Sequence, residues 1–231
     1  MAAFLSVSDA ADALNLSSAR IRLLAANGDI PAEKIGGRWL VEKVGVERRR
    51  RRGSSGGRPF IPRNAWAVLS LASGEEVAAI DAAARSRLRR TLSLEGLGAL
   101  SLRLERRADM ARYRAHPGEI AHLRTADRLI PSGVSAARLV GLDLLAAREA
   151  DGYVRASALD ELVEEHALAP AAIGESNAVL RIVPDDVWDL FLAARPHAPE
   201  AAIVLDLVES HDSRSQAAGK ELLNRLERNR R

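Results

Sequence analysis

Residues Leu5–Val41 read LSVSDAADALNLSSARIRLLAANGDIPAEKIGGRWLV, and the local chemistry of this stretch divides it into helix, tight turn, helix and hairpin. Ser6 or Ser8 offers a side-chain oxygen to the free amides of a first helix. Ala10, Ala11 and Leu14 fall three and four apart on its inward face, which predicts a helix over Ser8–Leu14. Asn15 tolerates the left-handed backbone of a tight turn, Leu16 is expected to plug the corner between helices, and Ser17 is a natural N-cap for the next one. In that second helix Ile21 and Leu24 take the inward face, leaving Ser18, Ala19, Arg20 and Arg22 outward near its N-terminal end. Gly28 ends the helix and Pro31 prevents its resumption. Glu33–Ile35 and Arg38–Val41 then flank Gly36-Gly37, a two-residue hairpin signal.

The order of these pieces, with L-S-S-A-R-I-R-L-L at 16–24, G-D-I-P at 28–31 and K-I-G-G-R-W at 34–39, resembles the excisionase-type and MerR-like winged helix-turn-helix family. The resemblance covers about the first fifth of the chain and implies a domain over residues 1–52 that binds double-stranded operator DNA. It implies that Ser17, Ser18, Arg20 and Arg22 lie in or beside the major groove, where a recognition helix meets base edges. It further implies that Lys34 and Arg38 grip phosphates from the hairpin, the wing of the motif. Strand alternation leaves Trp39 either packing under the wing or meeting the DNA backbone; completing a small core is the use favoured for a large aromatic.

Beyond the wing, Val44 and Val46 begin a helix or an extended tail that runs into five consecutive arginines, Arg48, Arg49, Arg50, Arg51 and Arg52. The run is either a solvated charge stretch or, the favoured reading beside a DNA-binding wing, a source of phosphate contacts that do not read sequence. Gly53, Ser54, Ser55, Gly56 and Gly57 have linker composition, which predicts a flexible connection over 53–62. Helical patterns at Ala65–Leu71, Ile80–Leu92 and Leu94–Met110 predict a helical middle domain over 63–114, whose Arg85, Arg87, Arg89, Arg90, Arg106 and Arg107 either line a second basic surface or, the favoured reading, lie on solvated faces. The remainder alternates. Helices are expected at His116–Leu123, Ser132–Val140, Ser157–His166, Asp185–Leu192 and Ser213–Arg228, and strands at Arg128–Ile130, Gly152–Arg155 and Ala178–Val183. Ala201–Leu207 reads as helix or strand. The fold class is α+β, mainly helical, with an α+β domain over 115–231.

Charge is distributed unevenly. Residues 1–63 carry 12 basic and 6 acidic side chains, whereas residues 115–231 carry 13 and 19. The positive end suits counterion-releasing contact with phosphates, and the negative end is a poor place for a second DNA site. The chain has no cysteine, which excludes disulfide frameworks and thiolate metal sites. Without a basic leader or a run of eighteen apolar residues, a cytoplasmic protein with no membrane partner is expected.

The segments SGVSAARLVGLDLL (132–145), DGYVRA (151–156), VLRIVP (179–184) and AAIVLDLVESHDSRSQAAGKELLNRL (201–226) together resemble the C-terminal part of AbiEi-type antitoxins of type IV toxin-antitoxin systems. The matching residues are Ser135, Ala136, Gly141 and Leu142, then Asp206, Leu207, Ser210, Asp212, Arg214, Ala217, Leu222 and Leu223. That resemblance implies a nucleotidyltransferase-like toxin as a direct or indirect partner. Read physically, Asp212 caps a helix beginning near Ser213, and Arg214 in its first turn calls for a carboxylate such as Asp206 or Glu209.

No catalytic constellation emerges. His116, His122, His166, His197 and His211 are scattered, none in metal-ligand spacing, and no phosphate-binding loop, nucleophile elbow or dinucleotide fingerprint occurs; Gly96 and Gly98 sit inside a helical run. Asp185-Asp186 follow Pro184 as helix-starting acids, and Glu164-Glu165 belong to an exposed face. No cofactor or metal is implied. The resulting expectation is a non-enzymatic, sequence-specific transcriptional regulator, an antitoxin-like autorepressor. The alternatives are an excisionase-type recombination or DNA-architecture factor, or a ligand-sensing regulator, against which the 3% aromatic content counts mildly.

Overall fold

A computed structural model describes residues 4–26, 30–54, 58–143 and 148–229, which fall into two compact units divided after Arg58. Gly28, expected to end the second helix, and most of the 53–62 linker's glycine-serine core, residues 55–57, lie outside the described residues.

The N-terminal unit runs β1 (Phe4–Ser6), α1 (Val7–Leu14), α2 (Ser18–Ala26), β2 (Ala32–Ile35), β3 (Arg38–Glu42) and α3 (Lys43–Ser54). Its sheet has the order β1-β3-β2 and is antiparallel throughout. Ala10 and Ala11 of α1, Ile21, Leu24 and Ala25 of α2, Ile30, Val41 and Val46 form the core, with Leu5, Leu14 and Trp39 packed on its margin. Two local features differ from expectation. β1 was not predicted: three residues carry no period, and the strand exists because Phe4–Ser6 pairs with Leu40–Glu42. Leu16 does not plug the corner but is exposed, since the small side chains Ala10 and Ala11 let α1 close the core without it. The stretch after the wing resolves as helix, α3.

The second unit contains α4 (Pro62–Ala72), α5 (Ala82–Glu95), α6 (Leu97–Leu100), β4 (Asp109–Arg114), α7 (Ile120–Arg124), β5 (Leu129–Pro131), β6 (Ala150–Arg155), α8 (Leu159–Glu165), β7 (Ala169–Pro170), β8 (Ala178–Val183), α9 (Asp185–Phe191), α10 (Glu200–Val208) and α11 (Ser213–Arg228). Its five-stranded sheet has the order β5-β6-β8-β4-β7; β6 and β8 run parallel and every other pair antiparallel. Alternation along β6 and β8 sends Ala150, Val154, Ala178 and Leu180 to one face, where Ile120, Leu123 and Leu162 cover them. Tyr153 and Val183 go to the other face, which packs on the larger core of α4, α9 and α10.

That larger core joins segments expected to be separate. Residues 65–72 of α4 are all buried, as are residues 201–207 of α10, and they belong to one cluster with Tyr153, Val183 and Leu222. The boundary expected between 63–114 and 115–231 therefore falls within one compact unit, and the segment called helical supplies β4 to the common sheet. The helix expected over Leu94–Met110 breaks at Gly96, whose φ of +78° leaves helical space, and Met110 lies in β4. Ser132–Val140 forms a tighter 3-10 helix from Gly133, and Ala201–Leu207 is helical. Among the described residues no helix is long and apolar enough to cross a membrane.

Candidate nucleic-acid interface

The path to the outer face of α2 begins with α1. Ser6 Oγ accepts the Asp9 N–H (3.1 Å) and the Asp9 carboxylate accepts the Ser6 N–H (3.3 Å), a reciprocal cap that fixes where α1 starts. The helix stops on Asn15, whose φ of +53° turns the chain. Ser17 Oγ then accepts the Arg20 N–H at 3.2 Å and opens α2. With Ile21, Leu24 and Ala25 buried, helical geometry turns Ala19, Arg20, Arg22 and Leu23 to solvent. The residues expected to meet DNA therefore occupy different environments. Arg20 and Arg22 are exposed, Ser17 is exposed but engaged as a cap, and Ser18 is half-buried.

The wing follows from Gly36 and Gly37, whose φ values of +58° and +80° are those of a type I′ hairpin turn. The register sets Ile35 opposite Arg38 and Lys34 opposite Trp39, so Arg38 and Lys34 point to opposite faces of the ribbon. Both cations are exposed. Trp39 is half-buried against the core, with the Lys34 ammonium 6.0 Å from its ring centroid. Of the two roles open to Trp39, packing is the one seen. Arg49 is half-buried on α3; the side chains of Arg48, Arg50, Arg51 and Arg52 lie outside the described residues. Residues 1–58 carry 11 basic against 6 acidic side chains, a positive excess for so small a unit.

A second concentration of charge lies in the other unit and is largely buried. Asp206 of α10 is fully buried and receives four partners. Arg107 Nη2 approaches its Oδ1 at 2.6 Å, Arg181 Nε at 2.9 Å, the Tyr153 hydroxyl donates to it at 3.0 Å, and the Ser132 hydroxyl donates to Oδ2. Arg107 also forms a two-pronged pair with Glu209 at 2.6 and 3.1 Å and donates from Nε to the Tyr153 oxygen at 3.0 Å, while Arg181 pairs with Asp151. Burial works to lower the Arg107 pKa, but Glu209, Tyr153 and Asp206 outweigh it and hold the guanidinium well above its usual value. Burial pushes the Tyr153 hydroxyl well above its ordinary range, so it remains a neutral donor.

This network corrects two expectations. Arg107, placed on a solvated face, is 2% exposed, and the carboxylates expected to serve Arg214 are taken by Arg107 and Arg181. Asp212 does cap the last helix, its Oδ2 accepting the Ser215 N–H at 2.7 Å. The network was invisible in sequence because Arg107 and Asp206 stand 99 positions apart and nothing in either segment names the other as its partner. The network binds elements to one another, with Glu209 at its partly exposed edge.

With this geometry in place, comparison with known proteins supplies the class. Residues 4–54, which span the three-stranded sheet and α1 to α3, match a family model described as a helix-turn-helix domain. The N-terminal unit is a helix-turn-helix domain, and the excisionase-like character read from its sequence agrees with that match. No curated protein and no solved structure matches the chain.

Proposed function

We propose that the protein is a sequence-specific DNA-binding transcriptional regulator rather than an enzyme. The observation that carries this reading is the exposed outer face of α2, with Arg20 and Arg22, in a helix-turn-helix unit whose wing presents Lys34 and Arg38. In this reading α2 enters the major groove and the wing cations hold phosphates, so the first sets sequence and the second sets register. Affinity of the full-length protein for duplex DNA, measured by fluorescence anisotropy across a salt series, falls steeply with salt because phosphate contact releases counterions. A salt-independent affinity overturns the proposal.

Within that class the finer reading is an antitoxin-like autorepressor of a type IV toxin-antitoxin operon, opposed to a nucleotidyltransferase-like toxin and working in the cytoplasm. Its support is the AbiEi-like series of motifs and the acidic excess at 115–231. In the host, expression of the adjacent gene arrests growth and co-expression of this protein restores it. An adjacent gene that is not toxic removes the antitoxin half and leaves the regulator.

A cavity of about 550 Å³ in the second unit, lined by Leu92, Leu97 and Leu226 with Glu75, Glu95 and Glu227, favours a ligand-sensing regulator as the second reading. Arg89 also lines it, Glu75 pairs with Arg195, Glu95 with Arg103, and Glu227 accepts the Gly98 N–H, so in this reading the effector is a small molecule of no fixed charge. Release of operator DNA by such a molecule distinguishes the two.

A further inference from the structure

The outer face of α2 is less polar than phosphate contact alone requires. Ala19, Leu23 and Ala26 recur at spacings of four and three, which places them in one row on the side opposite Ile21, Leu24 and Ala25. All three are exposed, and Leu23 leaves 47% of its surface in solvent although the core lies one helix face away. Arg20 and Arg22 border this row. An apolar strip edged by guanidinium groups matches one feature of the major groove closely. There each thymine projects a 5-methyl group, the one apolar element of the base edges, and guanine O6 and N7 accept a paired donation from arginine. The cations on either side and on the wing give the strip a polyanionic partner by charge, whereas an apolar protein surface would have to desolvate them.

Resting on the DNA-binding reading, we propose that Ala19 and Leu23 read thymine 5-methyl groups, with an arginine of α2 reading guanine beside them. The recognised sequence accordingly contains thymine at the positions under α2, and Leu23 is a specificity-determining residue whose role is apolar contact rather than hydrogen bonding.

The test uses full-length protein and the duplex it most enriches from a random DNA pool. Each thymine of that duplex is replaced in turn by deoxyuridine, which removes the methyl and leaves pairing and O4 intact. At one or two positions the Kd rises about four-fold, the worth of one methyl group withdrawn from water. Leu23→Ala removes that sensitivity at the position under Leu23, so that thymine and deoxyuridine there bind alike, while the thermal midpoint stays close to that of the parent. If the duplex binds but deoxyuridine is neutral everywhere, the inference fails and the DNA-binding reading stands. If no duplex is enriched, the DNA-binding reading itself fails. If Leu23→Ala changes the oligomeric state measured by light scattering and leaves deoxyuridine sensitivity intact, the strip is a contact between copies, and the inference is overturned.

Discussion

Arginine does opposite work in the two units. In the N-terminal unit Arg20, Arg22 and Arg38 stand on exposed positions of α2 and the wing. In the second unit Arg107 and Arg181 are 2% and 3% exposed and held among Asp151, Asp206 and Glu209. In the proposed reading the same side chain serves recognition where its partner is supplied from outside, whereas in the buried network it serves architecture with a partner supplied from within. Composition cannot separate these uses, since an arginine-rich sequence presents both alike; the distinction lies in where carboxylates fall in three dimensions.

Substitution within the buried network is expected to have the largest effect. Asp206→Ala removes the buried carboxylate that Arg107 and Arg181 share, leaving them only Glu209 and Asp151, and lowers the stability of the second unit by about 3–5 kcal/mol, read as a fall in its urea midpoint. Because residues 4–54 have their own core, DNA affinity at a temperature where both units are folded stays near the parent value. A parallel loss of DNA affinity would break the proposed separation of roles.

The surface arginines then divide among themselves. Arg22→Ala is expected to cost roughly 1–3 kcal/mol on the operator and little on scrambled DNA, whereas Arg38→Ala weakens both about equally. Competition binding with the two duplexes reads the difference, and equal loss of discrimination in both variants would reassign the recognition face. At the scale of the helix ends, Ser6→Ala opens the reciprocal cap with Asp9 and lowers N-terminal unit stability by about 1 kcal/mol, measured by thermal unfolding.

The smallest effect separates titrating pairs from the arginine network. Asp81 is held below the usual carboxylate range chiefly by the Ala84 N–H, and Asp185 by the Ser157 N–H. A depressed carboxylate contributes stability that is present above its unfolded value, 3.8 for either aspartate, and is lost as pH falls through the lower folded value. The acid limb of the second unit's stability curve is therefore expected to flatten in Asp81→Asn, where the amide still caps the helix but does not titrate. An unchanged limb would show that other carboxylates dominate it.

The helix-turn-helix unit was legible because its instructions are local: Ser17 caps, Asn15 turns, Gly36-Gly37 closes a hairpin, and Ile21 and Leu24 fix the inward face. Within the second unit, Ala178–Val183 and Ser213–Arg228 were read at their observed bounds for the same reason, regular alternation in one and a capping Asp212 in the other. What escaped depends on distant partners. Phe4–Ser6 becomes a strand only beside β3, Gly96 interrupts a run that looks helical, and Ser132, Tyr153 and Arg107 acquire meaning from Asp206. Of the interface, the exposure of Arg20, Arg22, Lys34 and Arg38 followed from periodicity, while the apolar row through Leu23 emerged once the buried side of α2 was known.

The union of α4 and α10 in one core also sets a timetable for synthesis. Ser73, at the end of α4, accepts the Ala201 N–H at 2.9 Å, a contact between residues 128 positions apart. At ribosomal rates of about 5–20 residues per second, α4 waits roughly 6–26 s for that partner to be made. Throughout that interval Trp66 and its apolar neighbours have no α10 to cover them, while residues 4–54 already hold every segment of their own core. On the nascent chain the DNA-binding unit is complete first, and the second unit passes through a window in which chaperones and proteases find its future interior open.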